Sequence, residues 1–207
     1  MRWRRALAAV VTLAACSPFG PRPDPTRFYV LAGPSSPAAS PSAQDAVSIG
    51  LGPVSLPSYL ARPELATRVG PNQIAYSRVA RWAEPLPSNI AHVLARTLEA
   101  ELGTAEVTPF PSFGAPRLDY TVQVDMRRFE VDGDGAATLA AFWAIRDGRS
   151  RTVLATRETS LTERATVSDT AAGVAALSRA LGGLGHEIAL GIQQVQAGRA
   201  SGQRRAR

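Results

Sequence analysis

The chain of 207 residues predicts an α+β fold: a single domain in which a mostly antiparallel sheet is covered by two amphipathic helices. Three observations carry this expectation. Apolar residues alternate with a period of two in several short runs, and they recur in steps of three and four in two longer ones. The span 26–198 is large enough for one hydrophobic core and too small for two comfortable ones.

In the first half, Phe28-Tyr29-Val30-Leu31 is a short apolar strand, and 47–54 is a second in which Val47, Ile49 and Leu51 share a face. Residues 64–69 and 73–77 flank Gly70-Pro71-Asn72 and read as a hairpin. The period then changes. Ile90, Val93, Leu94, Leu98 and Leu102 fall at helical spacing across 88–102, with Ser88 as N-cap and Gly103 as the stop. Such a helix should cover one face of the sheet.

The second half repeats that order with longer strands. Even positions are apolar across 120–126, whereas Phe129 and Val131 are odd, so the phase slips near Arg127 and Arg128 as a β-bulge would make it do. Asp132-Gly133-Asp134-Gly135 is a turn, after which Ala137, Leu139, Ala141, Trp143 and Ile145 alternate. Asp147-Gly148 turns again into a strand across 152–165, completing a three-stranded antiparallel meander. DGDG lacks the remaining ligands and distal glutamate of a calcium loop and reads as a plain hairpin. The last helix opens near Ser168-Asp169, and Val174, Leu177, Leu181, Leu184, Ile188, Ile192 and Val195 form one apolar stripe. Gly182, Gly183, Gly185 and Gly191 interrupt it, each costing roughly 1 kcal/mol against alanine, so packing must hold this helix. The glycines either permit close approach to a sheet or a neighbouring subunit, or mark a kink.

The N-terminus is organised differently. Arg2, Arg4 and Arg5 precede an uncharged, mostly apolar run over 6–15. A run of about ten residues makes about 15 Å of helix, half of the roughly 30 Å hydrocarbon core, so it is a signal-peptide h-region and not a span. Leu13-Ala14-Ala15-Cys16 resembles a bacterial lipobox, in which the cysteine is lipidated and becomes N-terminal. A buried free cysteine is the competing reading. As the only cysteine, Cys16 cannot form an internal disulfide. Residues 1–15 are thus expected to be a lipoprotein signal peptide and 16–25 a lipidated N-terminus with a proline-rich, extended tether. The domain follows at 26–198, with a surface loop over 33–45 and a basic, disordered tail at 199–207. Under the sorting rule that accompanies lipoboxes, Ser17 rather than aspartate after the cysteine directs the protein to the periplasmic face of the outer membrane.

Net charge is +6, and all 23 basic residues are arginine. Setting aside the three arginines of 1–15 and the four from Arg199 onward leaves 16 against 17 acids, so the domain is close to neutral. No basic stripe interleaved with aromatics supports nucleic-acid binding. A search for catalysis also fails. His92 and His186 have no second ligand type at metal spacing, and there is no GxSxG elbow, phosphate-cradling loop or HExxH. Glu99 and Glu101 read as a solvated helix face. The expectation is a protein with no catalytic residues, no metal and no cofactor.

One stretch is unexplained by core packing. Val54, Pro57, Tyr59, Leu60, Arg62, Pro63 and Arg68, followed by Trp82-Ala83-Glu84-Pro85-Leu86, together with the lipobox and Phe28-Tyr29-Val30-Leu31, resemble the ABC-type transport auxiliary lipoprotein family. The match is good over the lipobox and roughly 26–102; beyond that only the strand-then-helix order agrees. The resemblance implies a non-catalytic periplasmic subunit that docks an MCE-domain protein of an ABC lipid transporter at the outer membrane and assembles into a homo-oligomeric ring; no nucleic-acid partner is expected. It makes Tyr59, Arg62, Arg68, Trp82 and Glu84 the partner-binding candidates, beside Cys16 for the membrane. Tyr59, Trp82 and the prolines read equally well as residues that fix a loop against the helix. Charges on rigid loops can orient a partner, which favours Arg62, Arg68 and Glu84. The alternatives are an envelope assembly adaptor for lipopolysaccharide or outer-membrane proteins, and a soluble-ligand or peptidoglycan-binding module, for which a concave site rich in aromatics is expected although the mature chain has few.

Overall fold

The computed structural model describes residues 23–34, 47–103, 107–109 and 118–205. The expected signal peptide, Cys16, most of the expected tether and most of the loop expected over 33–45 lie outside the described residues. The described chain forms one eight-stranded mixed sheet and two helices.

The strongest sheet-forming signal builds the centre. Strands β6 (Tyr120–Asp132), β7 (Ala136–Asp147) and β8 (Val153–Arg164) form the expected antiparallel meander. The β6–β7 register shifts between Met126 and Arg128, where the apolar phase slips in the sequence. That slip keeps Met126 and Phe129 both in the core. Without it the second half of β6 would present its apolar residues to the wrong face.

The first half of the chain attaches along the other edge of β6. Strand β2 (Ile49–Ser55) pairs in parallel with its N-terminal half, and β3 (Glu64–Gly70) meets it in parallel at Val131 and Asp132. β3 and β4 (Gln73–Trp82) form the hairpin turning at Pro71-Asn72, but β4 runs five residues beyond the expected end at Ser77, to Trp82. β1 (Arg27–Tyr29) and β5 (Val107–Pro109) are short parallel additions to β4 and β2, and β5 is absent from the sequence reading. The three antiparallel ladders hold most of the paired residues, so the sheet is mostly antiparallel as expected; the parallel joints β2–β5, β2–β6 and β3–β6 span α1, and β1–β4 is parallel without it.

Helix α1 (Leu86–Leu102) begins two residues before the expected N-cap. Pro85 occupies the cap, and its carbonyl accepts the amides of Ser88 at 3.0 Å and Asn89 at 3.1 Å. Pro87 fits the first turn because its missing N–H would have no intrahelical partner there. Gly103 ends the helix in the left-handed conformation at φ 62°. Helix α2 (Thr170–Arg205) opens where expected, with the Asp169 carboxylate accepting the Ala172 amide at 3.1 Å. It continues to Arg205, through the segment expected to be a disordered tail. Arg199 gives the physical reason: its guanidinium pairs with the Asp147 carboxylate and lies 5.1 Å from the centre of the Tyr120 ring, which docks the last turns on the sheet.

α1 packs on β2 and β5, α2 packs on the meander, and the two helices touch each other. Trp143, Phe129, Leu94, Leu98, Leu181 and Leu184 are among the fully buried side chains of the shared core. Two of the glycines in α2 explain how it comes so close. A Cβ on Gly191 would stand 2.8 Å from Cη2 of Trp143, and one on Gly185 would stand 2.6 Å from Cγ2 of Thr97 on α1. Gly182 faces open space. Gly191→Ala is therefore expected to lower stability by about 1–3 kcal/mol through overpacking, whereas Gly182→Ala raises it by roughly 0.5–1 kcal/mol through helix propensity. Chemical denaturation of the two variants checks both signs.

Candidate partner-binding site

The candidate residues fall on two segments, 57–68 and 82–89, that meet around the open end of the β3–β4 hairpin. The first is organised by a residue the sequence reading did not single out. Glu130 of β6 points to the sheet face opposite Phe129, and its side chain is fully buried. Its Oε1 accepts from Nε of Arg68 at 2.8 Å and from Nε of Arg128 at 3.1 Å. Its Oε2 accepts from the Tyr59 hydroxyl at 2.8 Å and from the Phe129 amide at 3.0 Å. Burial alone would raise the carboxyl's pKa. The hydrogen bonds from Arg68, Tyr59, the Phe129 amide and Arg128 together outweigh that burial and hold it below the ordinary carboxylate value. Tyr59, buried and donating to this carboxylate, is pushed up to about 12.

A chain of contacts runs outward from this centre. Tyr59 is presented by a single 3-10 turn, Ser58–Leu60, whose Leu60 side chain is buried. The carbonyl of Tyr59 accepts the Tyr76 hydroxyl at 3.1 Å. The Arg62 guanidinium lies 4.4 Å from the centre of the Tyr76 ring, a cation–π distance, and its Nε is 3.4 Å from Glu64. Arg68 also donates to the Pro71 carbonyl at 3.2 Å, which ties the hairpin turn to Glu130. The side chain of Arg62 is 56% exposed and that of Arg68 only 23%, so these two arginines, alike in sequence, have different surroundings.

The second segment fastens the N-terminal strand. The Trp82 amide donates to the Pro63 carbonyl at 2.8 Å, the Ala83 amide to the Tyr29 carbonyl at 2.9 Å, and the Trp82 ring is buried. Glu84 accepts from the Asn89 side-chain amide, and its other oxygen lies 3.5 Å from Nδ1 of His92. Asn89, oriented by Glu84, accepts the buried Leu31 amide at 2.7 Å. The Ser178 hydroxyl of α2 accepts the next amide, that of Ala32, at 3.1 Å. The WAEP stretch thus joins β1, β4 and α1.

The structure brings Tyr59, Arg62 and Arg68 into one network and places Trp82 and Glu84 in the adjoining one. Cys16 lies outside the described residues. Glu130, Tyr76 and Asn89 were missed. Glu130 sits between the apolar Phe129 and Val131, where alternation turns it away from the core, and only the tertiary approach of β3 and the 3-10 turn brings Arg68 and Tyr59 to it. His186 pairs with Glu101 at 3.0 Å on exposed helix faces. Among the described residues no three His, Cys, Asp or Glu side chains gather as a metal set, and no helix is long and apolar enough to cross a membrane.

The domain is thus a sheet-and-helix fold whose polar centre is a buried carboxylate with all its partners in place. The chain belongs to the ABC-type transport auxiliary lipoprotein family, whose model matches residues 29–189. This extends the resemblance seen in the first half through the meander and most of α2, and it agrees with the expectation of a non-enzymatic, auxiliary protein. Among solved structures, protein XCC0632 from Xanthomonas campestris is similar at 23% identity and TM-score 0.68, over 86% of this chain and 99% of that one. An uncharacterized protein is similar at 18% identity and TM-score 0.65, over 81% and 98%. Both likenesses concern the fold. No curated protein is similar enough to count as a relative.

Two outcomes follow. Removing the buried carboxylate with Glu130→Ala strands two guanidinium groups and should cost about 3–5 kcal/mol, against about 1.5–3 kcal/mol for Tyr59→Phe, measured by urea denaturation. Because the folded pKa of Glu130 is depressed, its contribution is present above the unfolded value near 4.5 and disappears as pH falls through the folded one. The acid limb of the stability profile should therefore be shallower in Glu130→Gln than in the parent chain.

Proposed function

We propose that the protein is a non-catalytic subunit of an intermembrane lipid transport system, held at the periplasmic face of the outer membrane by lipidated Cys16. In this reading it docks the MCE-domain protein of an ABC transporter, acting as a homo-oligomeric ring. The observation that carries the proposal is the family match across 29–189, supported by the lipobox, the Pro-rich tether and Ser17. The geometry supports a division of labour among the candidates. Arg62 is the contact residue, an exposed charge laid flat on Tyr76 and therefore pre-oriented for a partner. Tyr59, Arg68, Trp82 and Glu84 hold the platform that carries it, through Glu130, Pro63 and Asn89.

The test is a mild-detergent pull-down of the tagged full-length chain from its native envelope, with mass spectrometry of partners and of the Cys16 peptide. An MCE-domain protein together with an acylated Cys16 is expected. Recovery of lipopolysaccharide or barrel-assembly components with no MCE protein would overturn the transport reading and leave the anchor. Arg62→Glu should reduce partner capture at least about tenfold while costing no more than about 1–2 kcal/mol of stability, since the ion pair and ring contact it loses are both exposed. Equal capture by the variant would remove Arg62 from the interface.

A further inference from the structure

The inner faces of β3 and β4 are covered differently from the rest of the sheet. α1 packs on β2 and β5 and α2 on the meander, so the hairpin end has only the start of α2 and the loop before it above it. A cavity of about 260 Å³ remains between them, walled by Leu65, Trp82, Phe129, Val131, Val174 and Leu177. Gly173 adds to the space: a Cβ there would lie 3.2 Å from Cγ2 of Val131. On the solvent side the lining consists of Thr166, Ser168, Asp169 and Thr170, all exposed.

The lining constrains what can enter. The large apolar side chains, Leu60 included, form one wall and polar groups the rest; an apolar cavity of roughly 150 Å³ accepts benzene, so the space here has room for about ten carbon atoms laid against the apolar wall. The polar groups of the lining are hydroxyls and the carboxylates of Glu64, Asp132 and Asp169, and no arginine or histidine is among them. The nearby guanidinium groups are already engaged, Arg62 and Arg81 with Glu64 and Arg128 with Asp132. The first turn of α2, which would otherwise attract an anion, is capped by Asp169. An anionic head would therefore meet carboxylates and find no free cation.

We infer that this cavity is a binding site for a single aliphatic chain of about ten carbons carrying a neutral or cationic head. The chain occupies the space against Trp82, Phe129 and Leu177, and the head sits among Thr166, Ser168 and Asp169. Asp169 has the exposure to meet a cation directly, whereas Glu64 and Asp132 are shared with arginines. The site adjoins the Arg62 platform, with which it shares Glu64 and Trp82, and it does not depend on the transport reading.

The experiment is calorimetric titration of the full chain bearing Cys16→Ser, prepared without detergent. The probes are straight-chain alcohols, alkyltrimethylammonium salts and alkyl carboxylates of six to fourteen carbons, each below its micelle concentration. Affinity should rise about fourfold per methylene and stop rising near ten carbons. The ammonium series should bind up to about fivefold more tightly than the alcohols, and the carboxylates more weakly than both. Val174→Phe should move the break to a shorter chain. Asp169→Asn, which keeps a capping side chain, should abolish the ammonium preference and leave the alcohol series unchanged. Absence of binding, affinity that climbs without a break to fourteen carbons, or carboxylates that bind as well as ammonium would each overturn the inference.

Discussion

A single buried carboxylate organises the half of the molecule that carries the family's motif. Glu130 lies on the strand shared by both halves of the sheet, and its two oxygens accept four hydrogen bonds from three separate segments. An isolated charge in that position would be strongly unfavourable, so the position is stable only with its partners in place. The 3-10 turn bearing Tyr59, the hairpin strand bearing Arg68 and β6 must therefore assemble together. The consequence reaches the surface, because Tyr59 supports Tyr76, and Tyr76 supports Arg62.

The opposite face of the sheet follows a different rule, set by how closely two helices can approach. Side-chain alternation on the meander supplies large residues such as Trp143 and Ile145, and α2 answers with small ones where it crosses them. Trp143 remains fully buried because its indole N–H donates to Thr159 at 3.0 Å, and the Thr159 hydroxyl donates to Glu187 of α2. Polar satisfaction and close packing thus act through the same helix. Near the start of α2 the sheet outruns its cover, and the cavity lies there.

The two arginines of the motif show what local reading misses. Arg62 and Arg68 are six residues apart in a stretch of similar composition, and a sequence treats both as charges able to orient a partner. One is laid over an aromatic ring in solvent, and the other is bonded to a carboxylate 62 residues away. Asn89 and Glu84 make the same point, since their shared function is to receive the amide of Leu31, 58 residues before Asn89.

Periodicity was enough to determine the meander, its bulge at Arg127, both apolar stripes and the stop at Gly103, because each depends on residues close together in the chain. The lipobox-like Leu-Ala-Ala-Cys, the arginine-proline pair and the tryptophan-alanine-glutamate-proline run were also legible as they stand, and they pointed to the family whose model matches residues 29–189. Tertiary structure alone decided the parallel joints of β1, β2, β3 and β5, the docking of Arg199, the burial of Glu130 and the cavity beside Trp82. Each of these rests on groups far apart in sequence. Whether a charge is solvated or buried depends on which distant segment lies over it, and no local pattern encodes that.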